Sequence, residues 1–284
     1  MRTCFLTFIV MALLATSVQA QDEAPRFNIS TQGVNSASVD NRGAEYSVFN
    51  TNVMAKYKWF TLNYSRSDYN WEHTSALPFS KHKGNPWDTL HLLALDAKTE
   101  GPLSDTFGWF AGGTLSSGFE DQIANSFSVM ARGGLSWTVN EDFRVRGGVI
   151  GILAPVHSML LPLVGLDWRD ESDLGLSATL GAPFTALRYR FNPVVSTRLS
   201  SYWSRSLYRL SNDSAVSKEG YFEEEGYTSG AYVDLTPLEG LKLTAGAEIL
   251  TGRSIRLYDD NGDRFNKYHV ESSLGGVLRL NYSF

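Results

Sequence analysis

The chain has 284 residues, a formal net charge of −5, 43% hydrophobic and 13% aromatic residues, and a mean hydropathy of −0.19. This mild acidity argues against nucleic acid as a partner, since nucleic acids are bound by basic surfaces. The only cysteine is Cys4. Downstream of it, the sequence excludes disulfides, thiolate catalysis and cysteine-based metal sites.

Residues 1–20, MRTCFLTFIVMALLATSVQA, predict a secretory signal peptide. Arg2 supplies the positive start, Cys4 to Ala15 the apolar stretch, and Val18-Gln19-Ala20 a small-residue cleavage site. No later run reaches the ~18 consecutive apolar residues of a membrane-spanning helix. Residues 21–284 are therefore expected to form a single domain.

The rest of the sequence alternates between apolar and polar residues. This alternation predicts β-strands, because successive side chains of a strand point to opposite faces. In chain order the candidate strands cover residues 26–36, 44–57, 60–65, 89–97, 107–116, 126–137, 143–151, 164–168, 174–180, 184–191, 194–210, 220–235, 241–257 and 268–284. The pattern thus predicts 12–14 strands, with 14 as the best count; segments 26–36 and 184–191 are the weakest.

The predicted connections alternate in length. Short turns fall at 58–59, 140–142, 170–172, 192–193 and 237–240, and longer polar loops at 71–86, 118–124, 155–158, 211–219 and 259–267. Aromatic residues such as Trp59, Trp137 and Trp168 cluster near strand ends. Both features are typical of β-barrels in the outer membrane, which have short periplasmic turns, long external loops and aromatic girdles. An even strand number places both termini in the periplasm.

The last predicted strand has one apolar face and ends on it. Counting back in twos gives Phe284, Tyr282, Leu280 and Leu278, whereas Arg279 falls on the polar face. This ending resembles the assembly signal of Gram-negative outer-membrane barrels. The mature sequence as a whole resembles such proteins, including an uncharacterised family of barrels of about this length.

The alternation and the resemblance together predict an all-β fold, a transmembrane antiparallel up-and-down β-barrel. The resemblance implies residence in the outer membrane, contact with its lipid and lipopolysaccharide, and recognition of Leu278, Leu280, Tyr282 and Phe284 by the barrel-assembly machinery. The oligomeric state is left open.

Charged residues on the polar faces are expected in the lumen, because a charge facing lipid is costly. The candidate lumen charges are Arg132, Arg144, Arg146, Arg188, Arg190, Arg198, Lys242, Glu248, Glu271 and Arg279. Two interpretations stay open: the cations line a pore that attracts anions, or they pair with acids such as Asp167 and Asp234 and fill a narrow barrel. The run 222–225 is expected to be a loop flank that is either solvated or faces lipopolysaccharide.

Three functions compete on this sequence. The first is a porin-like passive channel for small solutes, which would include anions if the cations line the pore. A barrel of this size lies between the smaller barrels that side chains fill and the larger ones that conduct. The second is a structural barrel with a filled lumen. The third is a barrel-embedded lipid hydrolase using one of the histidines, which are His73, His82, His91, His157 and His269.

The hydrolase is the weakest of the three, because the sequence has neither Gly-x-Ser-x-Gly nor His-Glu-x-x-His. We therefore predict that the protein is not an enzyme. No catalytic, cofactor-binding or metal-binding residue is assigned, and no cofactor is expected.

Overall fold

The computed structural model describes residues 24–40, 43–79 and 84–284, and these are mostly β-strand. The predicted signal peptide lies outside the described residues. The strands are Arg26–Ser38 (β1), Glu45–Tyr57 (β2), Phe60–Glu72 (β3), Thr89–Pro102 (β4), Phe107–Phe119 (β5), Phe127–Thr138 (β6), Phe143–Leu153 (β7), Ser158–Trp168 (β8), Gly175–Ala182 (β9), Phe184–Arg190 (β10), Val195–Arg209 (β11), Tyr221–Leu238 (β12), Leu241–Tyr258 (β13), Arg264–Val270 (β14) and Ser273–Ser283 (β15). Within the described ranges, no helix is long or apolar enough to cross a membrane.

The strands close into one antiparallel barrel. From β1 to β14, consecutive strands pair with one another, and β1 pairs with β15 to complete the ring. Both β14 and β15 pair with β13, β14 along Arg253 to Tyr258 and β15 along Leu241 to Leu250. They are thus two halves of one wall strand, and the barrel has 14 strands. The predicted fold class and strand count are confirmed.

The outer face of the barrel carries an apolar belt. On β6, for example, Phe127, Val129, Leu135 and Trp137 are exposed on the outside, and Arg132 lies on the opposite face. Large exposed apolar side chains on every side of a closed barrel suit lipid rather than water. Closure also gives the wall strands hydrogen-bonding partners, which a bilayer cannot supply.

The two ends of the barrel differ as the alternating connections predict. The short turns 58–59, 139–142, 191–194 and 239–240 lie at one end, together with both ends of the described chain, where the Phe284 N–H donates to the Pro25 carbonyl at 3.0 Å. The turn at 140–142 is fixed by the Asn140 side chain, which accepts from the N–H groups of Asp142 and Phe143. At the other end, the β9–β10 connection departs from the rule, since only Pro183 separates the two strands.

A hydrophobic cluster fills part of the long-loop end, and we call it the loop-end core. At the polar loop predicted for residues 71–86, the described residues Leu77, Phe79 and, just after it, Trp87 are buried against inner faces of β1–β3 and β11–β14. The Trp87 ring lies 4.2 Å from that of Phe222 and 5.3 Å from that of Trp71, whose indole N–H donates to the Trp87 carbonyl. The mouth is therefore closed on this side.

Strands β5 and β11, which are not neighbours in the wall, meet at the long-loop end. Arg209 and Phe119 form a parallel bridge, and the Glu120 N–H donates to the Arg209 carbonyl at 2.9 Å. A Cβ atom on Gly118 would collide with the carbonyl oxygen of Leu207, so the contact depends on glycine. The contact pinches the mouth into two lobes: the first lobe comprises β1–β5 and β11–β15, and the second comprises β6–β10.

Candidate functional site

The polar faces of the first lobe enclose a cavity of about 310 Å³, which we call the polar cavity. A further space of about 190 Å³ shares several of its lining residues and extends to Glu224 and Arg253, below the loop-end core. The polar cavity is lined by Ser30, Gln32, Asn50, Thr51, Asn52, Ser65, Ser67, Leu92, Tyr202, Ser206, Tyr208, Glu248, Val277 and Arg279. Hydroxyl and amide groups predominate, so the cavity suits hydrated solutes.

Hydrogen bonds hold the side chains of the polar cavity in place. Asn50 donates to Gln32 at 2.8 Å, and Gln32 in turn donates to Glu248. Glu248 also accepts from the Tyr232 hydroxyl at 2.8 Å. Glu248 is thus a fixed carboxylate at the cavity wall, and Arg279 is the cation that lines the same cavity.

Three cations converge on one buried carboxylate near the short-turn end, and we call this group the Asp234 cluster. Asp234 is 1% exposed and lies 3.1 Å from Lys242, 3.5 Å from Arg188 and 3.9 Å from Arg198. Arg188 is also paired with Glu171 at 2.6 Å. Three positive charges against two negative ones leave an excess of one positive charge at this level of the lumen.

Two further arginines of the candidate set are paired across the wall. Arg132 lies 2.9 Å from Asp96, and Arg146 lies 2.9 Å from Asp167. Because each pair joins one cation and one anion on the inner face of the wall, it fills space without adding net charge. The interpretation of the arginines as lumen filling thus describes these two positions, whereas the Asp234 cluster retains a cation excess.

The remaining candidate charges lie at the ends of the barrel. Arg144 is exposed and stands opposite Asp167 in the β7–β8 register, and Arg190 donates to the carbonyls of Ser172, Asn192 and Pro193 at the short turns. Glu271, expected on a lumen face, is exposed at the break between β14 and β15, where its N–H donates to the Ser38 carbonyl. It lies outside both strands.

The acidic run 222–225 is not the solvated flank that the sequence suggests. Glu223 is fully buried and paired with Arg205 and Arg256, each at 2.5 Å. Glu224 accepts from Arg253 at 2.8 Å beneath the loop-end core. Phe222 belongs to the core itself. The run therefore joins β12 to β11 and β13 through buried ion pairs.

Sequence reasoning missed Arg253, and a β-bulge explains why. The β12–β13 register shifts between Glu225 and Tyr227, opposite Gly252, which has a φ of 60°. An extra residue in one strand reverses the faces of all residues beyond it. Arg253, Ile255 and Leu257 consequently turn into the barrel. A glycine inside a strand pattern was the one available signal.

The histidines make contacts of other kinds than the serine–histidine pair of a hydrolase. His91 Nδ1 lies 2.8 Å from the Tyr64 hydroxyl. His157, in the β7–β8 loop, lies 3.1 Å from Arg205 and 3.9 Å from Glu223. Burial lowers the pKa of His157, Glu223 opposes this shift, and Arg205 adds to it. His82 lies outside the described residues.

No protein-family model matches the chain, and no curated protein matches it. Several solved outer-membrane channels are similar in fold. The COG4313 outer membrane channel from Pseudomonas putida F1 has a TM-score of 0.43 and 10% identity, over 95% of this chain and 100% of that one. The KdgM porin in complex with disordered oligogalacturonate has a TM-score of 0.38 and 9% identity, over 90% and 99%.

The Pseudomonas putida toluene transporter TodX has a TM-score of 0.32 and 10% identity, over 96% of this chain and 93% of that one. At such low TM-scores and identities, these likenesses carry no inference about what this chain does.

Proposed function

We propose that the protein is a passive outer-membrane channel for small hydrophilic solutes and that it favours anions. The Asp234 cluster carries this proposal, because rings of charged side chains set the selectivity of pores. Its excess positive charge lies on the same lumen as the polar cavity, whose amide and hydroxyl groups can replace the water around a solute. The wall ion pairs contribute no net charge to the selection.

The proposal is tested by measuring current through the purified barrel in planar lipid bilayers, with a salt gradient across the membrane. We expect steady open currents and a reversal potential that indicates anion preference. Replacing one cation of the cluster, in Arg198→Gln, should shift the reversal potential towards cations. The absence of any current in the parent protein would overturn the proposal.

Arg66→Gln is the matched control for one removed charge. Arg66 is 52% exposed at its side chain and pairs with Asp68 at 2.8 Å, on the face of β3 that also carries the exposed Leu62 and Tyr64. Because this arginine lies outside the lumen, its loss should leave the reversal potential unchanged. An equal shift in both proteins would show that net charge, and not the Asp234 cluster, sets the preference.

One observation favours a second candidate function, a structural barrel with a filled lumen. The loop-end core closes the mouth of the first lobe, and Arg132–Asp96 and Arg146–Asp167 occupy part of the interior. Such a barrel would present its loops to partners and pass no current. Conductance therefore separates the two candidates directly.

Orientation and assembly belong to the same proposal. The short-turn end, which carries both ends of the described chain, faces the periplasm, and the long loops face lipopolysaccharide. Leu278, Leu280, Tyr282 and Phe284 are exposed on the outer face of β15, as a segment read by assembly machinery must be. Phe284→Ala should lower the yield of folded barrel in cells, measured by heat-modifiable gel mobility, with Phe265→Ala as the control.

A further inference from the structure

The wall of the second lobe is incomplete above the short β9–β10 hairpin. Strand β8 pairs with β9 only from Val164 to Trp168, so residues 158–163 extend beyond it. On the other side, β10 pairs with β11 only as far as Tyr202, so residues 203–209 extend beyond it. Among residues 84–284, all of which are described, no strand pairs with these two edges except where Arg209 meets Phe119. We call the space between the edges the side gap.

The backbone of β8 is suited to an open edge. The Arg169 N–H donates to the Asp142 carbonyl, so the odd-numbered residues of β8 exchange hydrogen bonds with β7. The even-numbered ones, Leu160 and Pro162 among them, therefore direct their backbone groups into the side gap. Proline has no N–H to leave unpaired, and inside sheets it is confined to such edges.

The side gap has a defined frame. Below it, the Trp203 N–H donates to the Pro183 carbonyl at 3.1 Å, which ties the tip of the hairpin to β11. Above it, the β7–β8 loop reaches β11 through His157 and Arg205, 3.1 Å apart. On the outer face, Leu160 beside the gap is 72% exposed. The unpaired edge of β8 thus lies in the apolar belt.

Behind the side gap the lumen wall is apolar, in contrast to the polar cavity. Residues of β6, β7 and β8 that face inward form this surface, the apolar alcove, which consists of Met130, Ile150, Ile152, Met159, Leu161 and Leu163. Ile150 stands opposite Leu161, and Ile152 opposite Met159. The inward-facing Tyr202, Ser204 and Ser206 of β11 belong to the cavities of the first lobe.

An apolar inner wall is unfavourable in a water-filled lumen, and it is accounted for if the alcove holds apolar chains that come from the membrane. Unpaired backbone groups are costly next to lipid. The polar end of such a molecule would therefore form hydrogen bonds with the unpaired backbone groups of the two edges.

We propose that the side gap is a lateral passage, through which amphipathic solutes with an acyl or aromatic portion exchange between the lumen and the outer leaflet. The proposal rests on the function proposed above in one respect, namely that solutes cross the lumen. It adds a second class of solute and a second route. The apolar portion would lie against Leu161 and Leu163, and the polar portion against the unpaired backbone groups of the two edges.

Cysteine labelling from within the bilayer tests this proposal, because Cys4 is the only cysteine in the sequence and lies in the predicted signal peptide. The variants are Leu161→Cys in the alcove, Leu160→Cys on the outer face next to it, and Ser65→Cys in the polar cavity. Each barrel is reconstituted in phosphatidylcholine vesicles. One sample receives pyrene maleimide already dissolved in the lipid, and another a water-soluble sulfonated maleimide.

We expect pyrene maleimide to label Leu161→Cys at a rate similar to that of Leu160→Cys and many-fold faster than Ser65→Cys. The sulfonated reagent should label Ser65→Cys and leave Leu160→Cys unlabelled. If Leu161→Cys reacts with pyrene maleimide as slowly as Ser65→Cys does, the alcove is sealed from lipid and the proposal fails. Should Leu161→Cys not fold, judged by heat-modifiable mobility, Leu163→Cys takes its place on the same face.

The two proposals fail separately. A barrel that conducts ions but does not label at Leu161→Cys is a channel without a lateral passage. A barrel that labels at Leu161→Cys but passes no current has a lipid-accessible alcove. That result would contradict only the channel function proposed for the lumen.

Discussion

The two lobes of this barrel have the same strand architecture but differ in their contents. The first lobe holds the loop-end core above the polar cavity, so its mouth is closed by Trp71, Phe79, Trp87 and Phe222. The second lobe, β6–β10, contributes no residue to that core among those described, and it contains the apolar alcove beside the side gap. One lobe is closed at the end and polar below; the other has unpaired strand edges at the side and an apolar alcove beside them.

The difference follows from loop length and strand composition. Loop 73–88 is long enough to fold back into the mouth, whereas the β9–β10 connection is one residue and can cover nothing. The inner faces of β1–β3 carry asparagine and serine, and those of β7–β8 carry isoleucine, leucine and methionine. The two sides of one lumen thus differ in polarity.

The largest effect should come from Trp87→Ala, which removes a side chain that is 2% exposed in the loop-end core. Loss of a buried indole that leaves a cavity lowers the free energy of unfolding by about 4 kcal/mol. Urea unfolding of the barrel in vesicles measures this loss, and single-channel current should rise because the mouth of the first lobe loosens. Trp137→Ala, on the lipid-facing side of β6 at 47% exposure, is the control and should cost far less.

A smaller loss is expected for Asp234→Asn, which leaves three cations around a neutral amide. Removing one partner of a buried ion pair costs about 3 kcal/mol. Anion preference should increase in the same protein, because the cation excess grows. Asp68→Asn breaks the exposed pair with Arg66 and should change the free energy of unfolding by less than about 1 kcal/mol. Equal losses in the two variants would contradict the special role of the Asp234 cluster.

Ile150→Ala should sharpen the contrast between alcove and core. Ile150 is 7% exposed and lies opposite Leu161, and its truncation should cost about 2 kcal/mol, the low end for such a change, because lipid chains can enter the space. Val149→Ala, at the adjacent lipid-facing position, gives the baseline in the same unfolding experiment. A cost as large as that of Trp87→Ala would mean that the alcove is packed as tightly as the loop-end core.

The smallest effect concerns His157 at the upper edge of the side gap. Its pKa is lowered by burial; Glu223 opposes this shift, and Arg205 and Arg256 add to it. His157 in this contact therefore binds a proton less readily than it would if the β7–β8 loop moved away. The contact is therefore fully stabilising above the ordinary histidine pKa of about 6.5 and weakens as the pH falls below it. As the pH falls below this value, backbone hydrogen exchange of residues 154–157 should accelerate several-fold relative to that of neighbouring turns. His157→Gln should abolish this pH dependence.

The sequence predicted the wall of the barrel well and its contents poorly. Strand positions follow from a period of two that lipid imposes locally, so even the weak segments 26–36 and 184–191 are strands, and the count of 14 is confirmed. The faces of Arg132, Arg146, Arg188, Arg198 and Lys242 follow from the same period. Which of them pair within the wall and which converge on Asp234 depends on neighbours far away in sequence.

Three features were decided by the tertiary structure alone. The bulge at Gly252 reverses the faces of the upper part of β13, which alternation cannot foresee. The loop-end core arises because loop 73–88 meets Phe222 from the other side of the ring. The side gap exists because β8 and β11 extend beyond the shorter strands β9 and β10 that lie between them.

By itself, the sequence determined that this chain forms a closed barrel with an apolar exterior. Alternation is a property of each strand, and closure satisfies the backbone at any register. Only the tertiary structure decided where the barrel is filled, where it is charged and where its wall opens. Those properties depend on strand length, register and side-chain contacts between residues as distant as Trp87 and Phe222.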